Sequence, residues 1–303
     1  MENISMEIFF KHKKITTSLM IVLILIGYIF HIPNVKDVPK LEEGQIRIMS
    51  YNLRYGWSDY DEWVNRKNLL VAQILEYKPD SIGIQEGDSL WMSEDEGLPV
   101  LLEGYDFVGV GRDDGRSIGE YAAIFYLKDQ YEVVDSGNFW LSETPDIPSI
   151  GWDAVAFRIC TWATLKNIET GETYTHYNTH LDHKGKNART QSTTLIIDKV
   201  SKSKTPAVVT GDFNYFENCD EYDMIVGSEF LKDSKYIAKD SMKHGTINWF
   251  LPVNLKLLRP IDFCFITADS ITVDTYRVDN SYRIGRRPVS DHFPVIVDFR
   301  INK

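Results

Sequence analysis

Three polar residues of this 303-residue chain end or follow short apolar strings. Glu86 ends DSIGIQE, and Asp212 and Asn214 lie in GDFN, directly after AVVT. Each string has the length and β-branched content of a strand, so these polar groups are predicted at strand ends. A carboxylate there is a poor core residue but a good ligand for a hard cation such as Mg²⁺, which prefers oxygen donors. Taken singly, each residue could equally cap a turn.

A second group of residues combines imidazoles with carboxylates. Asp291 and His292 precede the apolar string PVIVDF, and His180 ends TYTHYNTH. Asp262, in RPIDFCF, could hold an imidazole in one tautomer and raise its basicity, as triad carboxylates do. Considered alone, His292 is a surface or structural histidine and Asp262 a strand-edge carboxylate.

Three further residues could orient a phosphate or a bound cation. Asn52, in RIMSYNLRYG, offers a neutral amide, and Glu120, in GRSIGEYAAIFY, adds a carboxylate. Arg158, in AFRICTW, could clamp a phosphate through its fork of donors. The simpler alternatives are a turn-forming Asn and an exposed strand Arg.

The elements that must position these residues are mostly strands. Strand-length apolar strings recur from residue 45 onward, and helical periodicity appears over residues 62–77 and 186–200. Pro79 ends the first of these helices. Because the polar residues fall at strand ends, we expect two facing sheets with helices outside and the chemistry along one edge.

Seven of these strings, in order, resemble the endonuclease/exonuclease/phosphatase superfamily. They are MSYNLR, PDSIGIQE, GRSIGEYAAIFY, NTHLDH, GDFN, RPIDFCF and SDHFPV, and the resemblance covers about residues 45–301. It implies an α/β fold, the four-layer α/β/β/α sandwich of deoxyribonuclease I. The run EWVNRKNLLVAQILEYKPDSIGIQE looks most like the nocturnin and carbon-catabolite-repressor deadenylases, and related bacterial proteins share GRDDG and WLSETPDIPSIGWDA.

The resemblance also implies a role for each polar residue. A magnesium ion, or manganese in its place, would be held by Glu86, Asp291 and Asn52. Catalysis would involve His180, Asp212, His292, Asp262 and Glu120, with His180 and Glu120 forming a second His–Glu pair. Asn52, Asn214 and Arg158 would contact the substrate. The residues leave open whether Asp212 or His292 is the general base.

The N-terminal part of the chain predicts a membrane anchor. Residues 15–32 form an uncharged run about as long as a bilayer core is thick, after three lysines and without a small-residue cleavage site. The basic flank predicts a single-pass protein with a cytoplasmic N-terminus and an extracytoplasmic catalytic domain. The predicted segments are 1–14 cytoplasmic, 15–32 transmembrane, 33–44 linker and 45–303 catalytic domain.

Charge restricts the substrate. The formal net charge is −11, and residues 1–44 carry equal numbers of Lys and Asp/Glu, which argues against a protein that coats long nucleic acids. The prediction is a metal-dependent phosphoester hydrolase, a phosphodiesterase or exonuclease-like nuclease acting on nucleic acid, nucleotide, lipid head group or phosphorylated glycan. The alternatives are an extracytoplasmic phospholipid or inositol-phosphate phosphoesterase and a catalytically silent, membrane-anchored binding domain. No protein partner is implied.

Two sets of residues allow weaker predictions. Cys160 and Cys264 lie in apolar strings and are predicted core residues, and one disulfide among the three cysteines, which include Cys219, is left open. Trp140, Trp152 and Trp162 could stack a base or sugar, although a tryptophan beside a strand is usually part of the core.

Overall fold

The computed structural model describes residues 38–58, 60–250, 259–281 and 288–302. The predicted transmembrane segment, residues 15–32, lies outside these ranges. Within them, every helix is too short or too polar to cross a lipid bilayer.

Seven strands, numbered in chain order, form the first sheet. They are β1 (Ile46–Asn52), β2 (Ser81–Gln85), β3 (Tyr105–Val108), β4 (Ile124–Leu127), β10 (Asp240–Ser241), β12 (Ile271–Val278) and β13 (Val295–Ile301). Their order across the sheet is β10-β12-β13-β1-β2-β4-β3. The β1–β2 and β10–β12 pairs are parallel and the others antiparallel, so the sheet is mixed.

The second sheet has six strands. They are β5 (Tyr131–Trp140), β6 (Ile159–Asn167), β7 (Thr173–His180), β8 (Ala207–Asp212), β9 (Leu231–Asp233) and β11 (Asp262–Thr267). The order is β5-β6-β7-β8-β11-β9, with only β7 and β8 parallel among these pairs. Two mixed sheets confirm the α/β fold predicted from the sequence.

Within the described ranges, five helices connect the strands. They are α1 (Tyr60–Tyr77), α2 (Leu98–Leu101), α3 (Lys186–Ser201), α4 (Asp220–Val226) and α5 (Ser234–Ile237), and a 3₁₀ turn covers Gly56–Ser58. Helix α1 buries Trp63, Leu70 and Ile74, which share one face at helical spacing. It ends before Pro79, as predicted.

Two apolar cores hold the layers together. The larger combines the buried face of α1 with residues of both sheets, including Ile48 on β1 and Val208 on β8. The smaller combines α3 and α4, through Ile196 and Ile225, with Phe263 and other residues on the outer face of the second sheet. Helices therefore cover the outer faces while the two sheets pack against each other.

Polar groups cross between the sheets beneath the strand ends. The ring of His176 on β7 contacts Ser81 Oγ of β2 through Nδ1 at 2.8 Å and Thr210 Oγ1 of β8 through Nε2 at 2.7 Å. Gly83 allows this close approach, since a Cβ there would lie 2.3 Å from Thr210 Oγ1. Hydrogen bonds therefore fix the spacing of the sheets at this point.

Candidate active site

Strand register brings the predicted polar residues to one edge of each sheet. In the first sheet Asn52, the last residue of β1, lies beside Gln85, and Glu86 follows directly. In the second sheet Asp212 ends β8 between His180 of β7 and Asp262 of β11. Each sheet therefore presents its polar residues where the strands end, as expected from the sequence.

Asn52 joins the two edges. Its side-chain amide donates hydrogen bonds to Glu86 Oε1 at 3.0 Å and to Asp212 Oδ2 at 2.9 Å. Glu86 has a positive φ of 58°, which a non-glycine residue rarely adopts, and its Oε2 accepts a 2.8 Å hydrogen bond from the Tyr55 amide. A neutral amide donor between two carboxylates reduces the repulsion that would otherwise separate them.

His292 and Asp262 form a buried pair beside Asp212. The Nδ1 atom of His292 lies 2.8 Å from Asp262 Oδ2 and 3.1 Å from Oδ1, and its Nε2 lies 3.8 Å from Asp212 Oδ2. Ser290 connects this pair to β1, because its hydroxyl donates to the Asn52 carbonyl and accepts from the His292 amide. The imidazole is thereby aimed with Nε2 toward the carboxylate that Asn52 also contacts.

The amide of Asn214 lies on the other side of Asp212. Its backbone N–H donates to Asp212 Oδ1 at 2.9 Å, and its side-chain nitrogen donates to the Leu181 carbonyl at 3.0 Å. Asn214 has a positive φ of 50°, a conformation that Asn tolerates better than most residues. Both Asp212 oxygens are therefore hydrogen-bonded, which fixes the orientation of the carboxylate.

The expected His180–Glu120 pair is looser than predicted. His180 Nδ1 lies 3.9 Å from Glu120 Oε2, too far for a hydrogen bond, and has no hydrogen-bond partner among the described residues. Glu120 instead accepts two hydrogen bonds, of 2.7 and 3.2 Å, from the guanidinium of Arg112. A guanidinium is the stronger competitor because it is always charged and binds a carboxylate through two donors.

Arg158 is buried and lines the pocket beside His180. Its Nε lies 3.4 Å from Asp182 Oδ2 and one terminal nitrogen, Nη2, lies 3.1 Å from His183 Nδ1. The other, Nη1, is buried without a partner among the described residues. Arg112, Glu120 and His180 line the same pocket. The pocket therefore offers unused donors to an anion, and the alternative of an exposed strand Arg is wrong.

The two histidines of the site differ in protonation. Burial lowers the pKa of His180 well below its ordinary value, and the charges of Arg158 and Arg112 add to this effect. Burial also acts to lower the pKa of His292, but Asp262 and Asp212 outweigh it and raise that pKa well above its ordinary value. At neutral pH His180 is therefore neutral while His292 is an imidazolium.

The carboxylates of the site are buried close to one another. Burial and the neighbouring Asp262 raise the pKa of Asp212, and burial and Glu86 raise the pKa of Asp291, against the opposing charge of His292. Asp291 Oδ1 is buried without a hydrogen-bond partner among the described residues, and Oδ2 lies 3.6 Å from Arg54. Concentrated, partly unpartnered carboxylates favour a divalent cation.

The predicted ligand set combines Glu86 and Asp291 with Asn52, two carboxylates and an amide, the donor types that Mg²⁺ and Mn²⁺ prefer. Asn52 turns its amide nitrogen toward Glu86 and Asp212, and its Oδ1 accepts a 3.0 Å hydrogen bond from the Arg54 amide. A second set, Asp212, Asp262 and His292, places one ligand atom from each residue within 4.8 Å of the others. In that set Asp262 and His292 already hydrogen-bond to each other.

Arg112 is a site residue that the sequence reasoning missed. It lies in GRDDG, a string that related bacterial proteins share, but its pairing with Glu120 depends on how this segment folds. Its carbonyl accepts a 2.7 Å hydrogen bond from the Trp140 indole. Charge alone did not distinguish it from the other arginines of the chain.

The remaining sequence predictions concern cysteines and tryptophans. All three cysteines are free thiols, with Cys160 and Cys264 buried in the cores as predicted. Trp140 is buried, and the ring of Trp162 packs against Tyr177. Trp140 therefore belongs to the packed interior, whereas Trp162 and Trp152 are half-buried, and the structure does not test whether they stack on a ligand.

This fold and this cluster of carboxylate, amide and imidazole groups define a class of hydrolases that act on phosphoester bonds. The sequence profile of the Endonuclease/Exonuclease/phosphatase family matches residues 49–292. The chain belongs to this family, which confirms the resemblance found in the sequence.

Two solved structures from Bacteroides thetaiotaomicron resemble the chain over most of its length. A family protein is 37% identical with a TM-score of 0.79, covering 87% of this chain and 100% of its own. A mannosyl-6-phosphatase is 38% identical with a TM-score of 0.76, covering 84% of this chain and 99% of its own. Nocturnin of Xenopus laevis is 24% identical over 80% of this chain and 66% of its own length.

Proposed function

We propose that this chain is a divalent-metal-dependent hydrolase of phosphate esters. The observation that carries the proposal is Asn52, which bridges Glu86 of one sheet and Asp212 of the other beside the Asp262–His292 pair. Hydrolysis of a phosphoester requires relief of negative charge, an aligned water molecule and a proton for the leaving oxygen. A bound cation would relieve the charge, Asp212 would take a proton from the aligned water, and the same proton would then pass to the leaving oxygen.

Each of these groups has a defined place in the proposal. A divalent cation, held by Glu86, Asp291 and Asn52, would polarise the phosphoryl group when bound. The His292 imidazolium donates from Nε2 to a phosphoryl oxygen, while Asp262 fixes its orientation through Nδ1. Asp212 accepts the proton of the attacking water, because its raised pKa suits a base working near neutral pH.

His180 and the arginines beside it face the phosphoryl oxygens in this proposal. His180 lies 3.6 Å from Asp212 through Nε2, so it is close enough to act on the same phosphate. Arg158 offers its unpartnered Nη1 to an anionic oxygen, and Arg112 neutralises Glu120. Asn214 positions the Asp212 carboxylate through its backbone N–H.

The proposed substrate is a phosphate monoester of a sugar. A formal charge of −11 disfavours a long polyanion, whereas a single phosphate needs only the local arginines. The 38% identity to a mannosyl-6-phosphatase, over nearly the whole of that chain, supports the same substrate class. Exonuclease-like action on nucleic acid is the second candidate, supported by the similarity to nocturnin.

A substrate panel tests this function. The full chain in detergent is assayed with Mg²⁺ on hexose 6-phosphates, bis-p-nitrophenyl phosphate, single-stranded RNA and DNA, inositol phosphates and phospholipids. We expect fastest turnover of the hexose 6-phosphates and loss of activity in EDTA. His292→Ala should abolish turnover without changing the melting temperature, whereas a fully active His292→Ala chain would reject the site. Faster turnover of RNA or DNA would favour the second candidate.

We also propose that the catalytic domain is extracytoplasmic and tethered by residues 15–32. The support is the uncharged run itself and the lysines at positions 11, 13 and 14 that precede it. Protease added to intact spheroplasts should then cleave the catalytic domain, while a cytoplasmic control protein stays intact. Complete protection of the domain would reverse the proposed topology.

A further inference from the structure

Two of the most exposed aromatic side chains of the described residues lie next to the candidate active site. Trp57 is 61% exposed and Trp249 is 63% exposed, whereas Trp63, Trp91 and Trp140 are buried. Exposed hydrophobic residues are common on protein surfaces, so it is the position of these two indoles next to the site that carries information.

Trp57 is fixed beside Glu86 by a short hydrogen-bonded loop. The amide of Tyr55, two residues earlier, donates to Glu86 Oε2 at 2.8 Å. The amide of Trp57 itself donates to Asp88 Oδ2 at 3.1 Å, and its indole N–H donates to Ser89 Oγ at 2.8 Å. Contacts at the backbone and at the ring edge orient the indole while most of its surface remains open.

Trp249 is fixed beside Asp291 in a comparable way. Its amide and that of Asn248 donate to the Asp291 carbonyl, at 3.3 and 2.7 Å. Trp249 and Phe250 have φ angles of 55° and 56°, a left-handed conformation that aromatic residues rarely adopt. Such backbone strain is retained where the surrounding structure holds it, and it occurs most often at functional sites.

Both rings therefore accompany a carboxylate of the predicted cation site. Each of Glu86 and Asp291 has one of the exposed indoles a few residues or one hydrogen bond away. Phe216 is a third exposed aromatic near the site, after Asn214, but the guanidinium of Arg259 lies 5.7 Å above its ring. The two tryptophans are thus the better candidates for ligand contact.

We propose that Trp57 and Trp249 form a stacking subsite for the pyranose ring of the substrate. An indole face packs well against the C–H face of a sugar, which combines apolar contact with a polar rim of hydroxyl groups. The arginine pocket beside His180 would hold anionic oxygen, and the tryptophans would hold the ring that carries the phosphate. This proposal rests on the proposed sugar-phosphate substrate and assigns its ring to named residues.

Single and double alanine variants of the full chain test the subsite. KM is measured for a hexose 6-phosphate, which has a ring, and for glycerol 3-phosphate, which has none. Trp57→Ala and Trp249→Ala should each raise KM for the hexose phosphate roughly tenfold and leave that for glycerol 3-phosphate unchanged. Trp57→Phe and Trp249→Phe should retain most of the affinity. Ile168→Ala, at a 58% exposed residue in the turn after β6, is the matched control.

Direct binding separates failure of the subsite from failure of the proposed function. Tryptophan fluorescence is titrated with hexose 6-phosphate, mannose, nucleoside 5′-monophosphates and inorganic phosphate, irrespective of turnover. Quenching by both sugars that disappears in the double variant supports the subsite, even if hexose phosphates are not hydrolysed. Tryptophan-dependent binding of nucleoside monophosphates alone would overturn the pyranose assignment in favour of a base. If every variant kept the wild-type KM for hexose 6-phosphate and the wild-type KM for glycerol 3-phosphate, the subsite itself would be overturned.

Discussion

The side-chain amide of Asn52, at the end of one sheet, donates a 2.9 Å hydrogen bond to Asp212, at the end of the other. The remaining N–H of the same amide reaches Glu86. Asn52 is fully buried, so both carboxylates depend on it for a donor that water does not replace. The geometry of the site thus depends on a residue that need not take part in proton transfer.

Asn52→Ala and Asn52→Asp should both be severely impaired. The first leaves two carboxylates without their shared donor, and the second adds a third negative charge between them. We expect kcat to fall by roughly a hundredfold or more in each case. Steady-state kinetics together with melting temperatures measure this, with Asn138→Ala on β5 as the control. Wild-type kcat in Asn52→Ala would limit the role of this amide to packing.

Removing the partner of His292 should change the pH dependence of catalysis. Asp262 raises the pKa of His292, so the imidazolium persists at neutral pH and is lost only as pH rises through that raised value. Asp262→Asn lowers the pKa, and the alkaline limb of the kcat profile should move toward neutral pH by about one unit or more. The exposed Asp135→Asn should leave the profile unchanged. An unmoved alkaline limb in Asp262→Asn would show that His292 is not the group that titrates.

Metal dependence should be traceable to Glu86. Glu86→Gln keeps the shape of the side chain but removes its charge, so the Mg²⁺ concentration for half-maximal activity should rise at least tenfold. Calorimetric titration of Mg²⁺ into the metal-stripped chain gives the same affinity without turnover. Glu96→Gln is the control, because that carboxylate is exposed and paired with Lys67. Unchanged Mg²⁺ affinity in Glu86→Gln would favour the alternative set of Asp212, Asp262 and His292.

Much of the fold and site was predictable because strand ends are visible in sequence. Apolar strings end at Asn52, Glu86, His180 and Asp212, and these ends mark where each strand leaves the core. The pairing of the strands then places these residues at one edge of each sheet. Local pattern also predicted the long helix before Pro79 and its buried face.

The remaining features depend on contacts that local pattern does not encode. The Glu120 carboxylate could pair with His180 or with Arg112, and only the folded loop brings the guanidinium to 2.7 Å. Tryptophan exposure likewise follows from tertiary packing. Trp140, at the end of β5, is buried, whereas Trp57, in a short 3₁₀ turn, is exposed.

The free energy of unfolding should decrease at acid pH, in part because of His176, which is buried between the two sheets. Burial between the sheets lowers the pKa of His176 to about 3, against 6.5 for an ordinary histidine. Between these two pH values, His176 is therefore neutral in the folded state and protonated in the unfolded chain. The resulting loss of stability is absent above pH 6.5 and grows by about 1.4 kcal/mol per pH unit as pH falls toward 3.

His176→Gln tests this linkage. Glutamine can still hydrogen-bond to Ser81 and Thr210 but does not titrate, so the variant should be less stable at pH 7 and yet lose less stability between pH 6.5 and 5. Urea unfolding at several pH values measures the free energy of unfolding, and the difference in slope should approach one proton. Asn138→Gln is the control, because Asn138 lies on β5 of the same sheet and does not titrate. Parallel pH profiles for wild type and His176→Gln would exclude His176 as the source, because the missing proton would then belong to another buried group.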